Sequence, residues 1–143
     1  MLFRSKGLNK IKVYLDPDNT IDEMCENNNF VTKEYFIYED EIRPVYPYDY
    51  SIINKNNIKF YASTANPFSK NREYIFQIDT TLKFNSPILS EQKIISSGGV
   101  VEFSNSSFTM TSNYVYYWRV GVAADNGIVK WNHFSFKIGR AHV

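Results

Sequence analysis

YVYYWRVGV, residues 114–122, is the stretch that decides the fold class of this chain. Successive side chains of a β-strand point to opposite faces of a sheet, so the even-numbered residues of the stretch share one face. All of them are large and apolar: Tyr114, Tyr116, Trp118, Val120 and Val122. The opposite face carries Arg119 and Gly121. This alternation predicts a central strand whose even-numbered face lies in a core, and it favours a packed or cross-strand paired role for Arg119.

Further short apolar runs occur at regular spacing on both sides of this strand, separated by turn-rich segments such as NKNN and SSGG. The predicted strands are Ile58–Ala62, Tyr74–Ile78, Gln92–Ile95, Val100–Phe103 and Trp131–Ile138. No segment combines a sustained helical period with a cap. The pattern therefore predicts an all-β fold, an antiparallel β-sandwich. Its proposed core is Ile58, Phe60, Tyr74, Phe76, Ile78, Tyr116, Trp118, Val120, Phe134 and Phe136.

The first part of the chain predicts a separate hairpin. Ile11, Val13 and Leu15 alternate with polar residues, the turn DPDNT follows, and a second apolar run covers Tyr35–Tyr38. After it, EDEIRPVYPYDY contains two prolines and several acids, which suits an extended connection. We therefore expect a hairpin plus linker over residues 1–42 and a sandwich over residues 43–138.

Composition limits the partners that the chain is expected to have. The net charge of its 143 residues is +1, and acids and bases are interspersed. The chain therefore produces no electrostatic field that would attract nucleic acid or an anionic membrane surface.

No apolar run is long enough for a signal peptide or a membrane span. Cys25 is the only cysteine, which excludes an internal disulfide. We expect no membrane insertion, and any export signal would lie outside this sequence.

The segment from Met110 to Tyr116, followed by Trp118 and Val120, resembles the region between the fifth and sixth strands of a fibronectin type III domain. There a leucine-like residue, here Met110, stands six positions before a tyrosine that starts a core strand. The resemblance implies that Tyr116 is a tyrosine corner, with its ring packed and its hydroxyl bonded to upstream backbone. Tyr116 and Trp118 are therefore expected to hold the fold together.

A longer set of motifs runs from PVYPYDYSII through FYASTANP, REYIFQIDTT, FNSP and SGGVVEF to YYWRV and WNHFSF. Together, over residues 43–137, they resemble a fibronectin-like module of very large secreted proteins of Bacteroidetes. Several such proteins leave the cell by type IX secretion and carry a gingipain-like cysteine peptidase domain. The resemblance implies an extracellular or cell-surface location and a parent protein that could be a peptidase.

Both ends of the sequence carry resemblances of their own. NKIKVYLDPDNTIDEMCENNNFVTKEYFI is similar to the closing hairpin of bacterial cell-adhesion-related domains of the immunoglobulin type, with Glu23, Glu26, Asn27 and Asn28 at matching positions. This implies that residues 1–42 are the end of a truncated domain. The terminal IGRAHV is similar to the translation of a sequencing adapter, so we expect residues 139–143 to be a non-native tail.

Cysteine-peptidase chemistry needs a thiolate with a histidine within hydrogen-bond reach. Cys25 belongs to the predicted hairpin, His133 to the last predicted strand and His142 to the expected tail. We therefore predict no catalytic constellation and no cofactor in this chain, and a packed or incidental role for Cys25.

Two binding hypotheses remain open beside structural explanations. The first hypothesis is a calcium site, because four acidic residues lie close together in the sequence: Asp16, Asp18, Asp22 and Glu23. The structural alternative is a turn, since Asp and Asn also form turns by bonding their own backbone. Tyr61, Tyr117 and Trp131 fall on the less clearly buried faces of their strands and are candidates for stacking on a ligand, although sandwiches bury most of their aromatics.

The function expected from the sequence is a non-catalytic structural or adhesive module of a larger secreted or cell-surface protein. Its partners would be neighbouring domains of the same polypeptide, which the module positions. The alternative is a carbohydrate- or protein-binding module that uses exposed aromatic side chains.

Overall fold

A computed structural model describes residues 7–18, 20–22, 29–37, 41–54, 57–66, 70–104, 108–123 and 127–140. These residues form an all-β structure without a helix, as the sequence predicted. No helix among them is long and apolar enough to cross a membrane. The strands are β1 (Gly7–Tyr14), β2 (Phe30–Ile37), β3 (Ile42–Tyr46), β4 (Ser51–Ile53), β5 (Lys59–Thr64), β6 (Arg72–Asp79), β7 (Ser90–Ser96), β8 (Val100–Ser104), β9 (Val115–Ala123) and β10 (Val129–Ile138).

The chain divides into two compact units, residues 1–39 and residues 40–143. In the first unit β1 and β2 pair antiparallel from Gly7 opposite Ile37 to Tyr14 opposite Phe30, which confirms the predicted hairpin. The rings of Tyr14 and Phe30 lie 6.1 Å apart, and many other apolar side chains of this hairpin are exposed. A two-stranded hairpin buries too little apolar surface to be stable alone.

The second unit contains two sheets with a core between them. One sheet has five strands in the order β4-β10-β9-β6-β7, and the other has three in the order β3-β5-β8. All neighbouring strands are antiparallel except β4 and β10, which pair in parallel. The Phe60 ring of β5 lies 5.2 Å from the Trp118 ring of β9, so side chains of the two sheets meet in one apolar cluster. This arrangement is consistent with a β-sandwich.

The predicted core is confirmed with two corrections on the β9 and β10 strands. All of its proposed members are buried except Phe134, which is partly buried and packs edge-on against Trp118 at 6.0 Å. Tyr114 was expected on the buried face of the central strand, but it is 54% exposed. The reason is that β9 begins one residue later, at Val115, so Tyr114 belongs to the preceding turn.

The segment interpreted as a linker contributes to the second unit. Ile42 is fully buried in its core, and β3 pairs with β5, with an irregularity between Pro44 and Tyr46. Sequence analysis missed this strand because proline usually argues against a strand. Here Pro44 lies at an irregularity of the pairing, which is one of the places where a sheet tolerates proline. The short β4 also escaped sequence analysis, since three residues give too little alternation to recognise.

Candidate functional site

A groove with a volume of about 540 Å³ lies on the outer face of the five-stranded sheet. Its floor is formed by β9 and β10, one side by the start of β4, and the other by the loop between β6 and β7. The residues that line it include Tyr50, Ser51, Leu82, Tyr117, His133 and Lys137. Apolar walls with a few polar groups are typical of small-molecule sites.

Tyr50 stands at the rim of this groove in an unusual conformation. Its φ of 59° lies in the left-handed region, and its side chain is 86% exposed. That backbone conformation costs free energy for a bulky residue, so surrounding bonds must hold it. The Tyr50 N–H donates to the Ser135 carbonyl at 2.7 Å, and Asp49 Oδ1 accepts from the Ser135 N–H at 2.7 Å and from its hydroxyl at 3.1 Å. Asp49 thus fastens the turn to β10.

Ser51 supplies the second unusual feature of the groove. Its hydroxyl oxygen is inaccessible to solvent and finds no hydrogen-bond partner among the described residues. Buried polar groups are nearly always paired, because an unpaired one forfeits its bonds to water without compensation. Among the described residues, the Ser51 hydroxyl is therefore an unpaired polar group that lies beneath the surface of the groove.

Arg119 lies on the same outer face, between two aromatic rings. Its guanidinium carbon is 4.1 Å from the centroid of the Phe84 ring and 4.1 Å from that of Trp131. Its Nε–H donates to Gln77 Oε1 at 2.8 Å, and Gln77 in turn donates to Glu91 at 2.5 Å. Burial lowers the pKa of Arg119, although Glu91 and Asp79 act in the opposite direction. The packed role that the sequence favoured for Arg119 is confirmed.

The candidate stacking residues do not form one row. Tyr61 lies on the three-stranded sheet, opposite Glu102 of the neighbouring strand. Trp131 is on the five-stranded sheet, but Arg119 occupies one of its faces. Tyr117 alone of the three lines the groove. Sequence analysis missed Tyr50, whose only signal is its place in the turn-forming segment PYDY.

The loop that forms one wall of the groove is anchored by Asp79, whose side chain is fully buried at the end of β6. Its carboxylate accepts from the Thr80 N–H at 2.6 Å, the Thr81 hydroxyl at 3.2 Å, the Ser86 N–H at 3.0 Å and the Ser86 hydroxyl. Burial alone would raise the pKa of Asp79, but these hydrogen bonds outweigh it and lower the pKa. Asp79 therefore acts as a charged anchor of the loop.

A second buried carboxylate, that of Glu41, lies where the second unit begins. It pairs with Lys130 at 2.7 Å and with Arg43. The hydrogen bond from Lys130 is the main reason that the pKa of Glu41 is lowered. Both buried carboxylates are thus bound by groups of their own unit.

The acidic cluster of the hairpin turn is organised around Asp16. Its carboxylate accepts from the Thr20 N–H at 3.0 Å, the Thr20 hydroxyl at 2.8 Å and the Ile21 N–H at 2.8 Å. The bond from Ile21 is the main cause of the lowered pKa of Asp16. Asp18 and Asp22 are exposed, and Glu23 lies outside the described residues. Where side chains are described, no three acidic, histidine or cysteine residues are grouped as metal ligands.

The residues weighed for cysteine-peptidase chemistry are distributed as follows. His133 is exposed on the outer face of β10 and lines the groove. Cys25 and His142 lie outside the described residues, as do Glu26, Asn27 and Asn28 of the hairpin resemblance.

No protein-family model matches the chain, and no curated protein matches it significantly.

Proposed function

We propose that this chain is a non-catalytic structural module of a larger secreted or cell-surface protein, in which it positions neighbouring domains. The proposal includes a fibronectin type III-like sandwich in the second unit. It also includes the interpretation of the first unit as the closing hairpin of an immunoglobulin-like domain. The parent protein can still be an enzyme through a domain outside this sequence.

The strand order and one side-chain contact support the fibronectin type III assignment. A three-stranded sheet facing a sheet built on the central pair β9 and β6 is the arrangement such sandwiches have. The Tyr116 hydroxyl accepts from the Thr111 N–H at 2.7 Å and donates to the Thr111 carbonyl at 3.1 Å. Met110, six positions before Tyr116, is buried in the same apolar cluster. These are the contacts expected of a tyrosine corner.

The exposed apolar residues of the hairpin support its assignment to an immunoglobulin-like domain. Ile11, Val13 and Val31 lie on one face, and all are more than half exposed. Phe30 and Phe36 are more than half exposed on the other face. A hairpin that is apolar on both faces needs further strands or another sheet to cover it.

The observation that carries the proposed function is the parallel pairing of β4 with β10. Ser51 pairs with Phe136 and Ile53 with Ile138, so a strand near the start of the second unit is bonded to the strand at its end. Tension applied through the two ends of the unit pulls these parallel strands in opposite directions along their length. Their hydrogen bonds then bear the force together instead of opening one by one, which suits a domain that holds its neighbours apart.

Force spectroscopy on the full chain between two handles tests this function. We expect one unfolding event for the second unit, with a length increase of about 340 Å for roughly 100 residues at about 3.4 Å each. Asp49→Ala removes the bonds to Ser135 beside the β4–β10 pair and should lower the unfolding force. Asp49→Asn keeps an acceptor oxygen and is the matched control. Extension without a force peak, or equal forces for the two variants, would show that the pairing does not resist tension.

A further inference from the structure

We propose that the groove beside Tyr50 binds a saccharide, with the sugar ring held between Tyr50 and Tyr117 over the outer face of β9 and β10. This goes beyond the positioning role, since it gives the module a ligand of its own. Of the three stacking candidates that the sequence indicated, the site retains Tyr117, which it combines with Tyr50, and leaves out Tyr61 and Trp131.

The two tyrosines give the groove its apolar recognition surface. Tyr50 is 86% exposed and is kept at a positive φ by the bonds of Asp49 and Tyr50 to Ser135. Backbone conformations that are unfavourable by themselves and are held in place by surrounding contacts occur preferentially at ligand-binding sites. An exposed tyrosine offers a rigid face for the C–H groups of a sugar ring and a hydroxyl for its polar edge, with little side-chain entropy to lose.

Polar groups of both hydrogen-bonding types face the same volume. The imidazole of His133 and the ammonium of Lys137 line the groove. On Asp49, Oδ1 takes the bonds from Ser135, which leaves Oδ2 to accept. Sugar hydroxyls both donate and accept, so they can satisfy donors and acceptors that stand side by side.

Size and charge favour a saccharide over other ligands. A groove of about 540 Å³ lies within the range of about 300–1,000 Å³ typical of small-molecule sites and accommodates one or two sugar rings. Its lining contains one carboxylate, from Asp49, and one ammonium, from Lys137. Because these two charges are opposite, the groove does not favour a highly charged ligand. Leu82 and Ile52 add apolar contact at the walls. An extended peptide added along the free edge of β4 is the competing occupant.

Amide chemical shifts of the full chain, titrated with methyl glycosides of neutral hexoses, N-acetylhexosamines and uronic acids, test this proposal. We expect at least one class to give saturable shifts concentrated at Tyr50, Ser51 and His133. Tyr50→Ala should weaken that binding at least tenfold, whereas Tyr114→Ala, which removes an exposed tyrosine elsewhere, should leave it unchanged.

His133→Ala separates binding from folding. The imidazole is exposed and lines the groove, so its removal should leave the unfolding midpoint nearly unchanged while it weakens glycoside binding about fivefold. Absence of saturable shifts with every glycoside would overturn the proposal, as would equal binding by Tyr50→Ala. Shifts along β4 with a short extended peptide and none with glycosides would replace the saccharide by a peptide.

Discussion

The guanidinium carbon of Arg119 lies 4.1 Å from the centre of the Trp131 ring, and this stack covers the outer face of the five-stranded sheet beside Gly121. Phe84 closes the other side of the guanidinium at the same distance. The stack explains the residue at position 121, because a Cβ there would lie 2.9 Å from Trp131 Cε3 and 2.5 Å from Val129 Cγ1. Trp131 therefore has a structural role that its strand position alone did not reveal.

Gly121→Ala should destabilise the second unit by about 1–3 kcal/mol, the usual cost of inserting a methyl group where none fits. The added Cβ must displace both the Val129 side chain and the Trp131 ring, and the shift of the ring should weaken its contact with Arg119. Urea unfolding followed by tryptophan fluorescence measures the stability, and the emission of the folded protein reports a changed environment of Trp131 on top of the signal from Trp118.

Gly139→Ala is the matched control for that substitution. A Cβ at position 139 would make only an ordinary contact of 3.4 Å with Ile52 Cγ2, so stability should change by less than about 0.5 kcal/mol. Equal effects of the two substitutions would contradict the steric role of Gly121.

Tyr116→Phe should cost about 1–2 kcal/mol, since the Thr111 N–H and carbonyl both lose the hydroxyl that bonds them. The ring itself stays in place against Phe136, at 5.6 Å between centroids. Thermal or urea unfolding measures the loss, and Tyr114→Phe, at an exposed position, should be neutral. A neutral Tyr116→Phe would mean that the hydroxyl does not hold the turn.

Asp79→Asn should destabilise the protein by about 2–3 kcal/mol near neutral pH, because an amide cannot accept the whole set of bonds from Thr80, Thr81 and Ser86. The pKa of Asp79 is lower in the folded state than the ordinary 3.8. Its stabilising contribution is therefore fully present above that ordinary value and is lost as the pH falls through the folded pKa.

Urea unfolding of wild type and Asp79→Asn at pH 6 and near pH 2 measures this effect. The difference in stability between them should shrink at the acidic pH. Glu73→Gln, which breaks only a surface pair with Lys93 at 3.5 Å, should cost at most about 1 kcal/mol at pH 6. A difference that stays constant with pH would show that the charge of Asp79 is not what anchors the loop.

Sequence analysis predicted most strands and nine of the 17 residues of the buried apolar cluster, because alternation along a strand reports directly which side chains are buried. It failed where that pattern is short or interrupted. β3 contains Pro44, and β4 has three residues. Tyr114 has the right spacing for the core face, but the strand begins only after it.

The candidate site was less predictable than the fold. Tyr117 was identified from its strand face, but Tyr50 has no periodic signal because it belongs to a turn. The groove joins residues 49–52, Leu82, Val115 and Tyr117, and the end of β10, which are far apart in the sequence. The parallel pairing of β4 with β10, together with the bonds of Asp49 and Tyr50 to Ser135, brings residues 49–52 beside the end of β10.

By itself, the sequence determined that this chain is all-β and which face of its central strand is buried, since both follow from local alternation between apolar and polar residues. The tertiary structure decided which aromatics remain available. Packing placed Trp131 against Arg119, set Tyr61 opposite Glu102, and left Tyr50 exposed at the rim of a groove. Such outcomes depend on strand order and register, which are set by long-range contacts that no local pattern encodes.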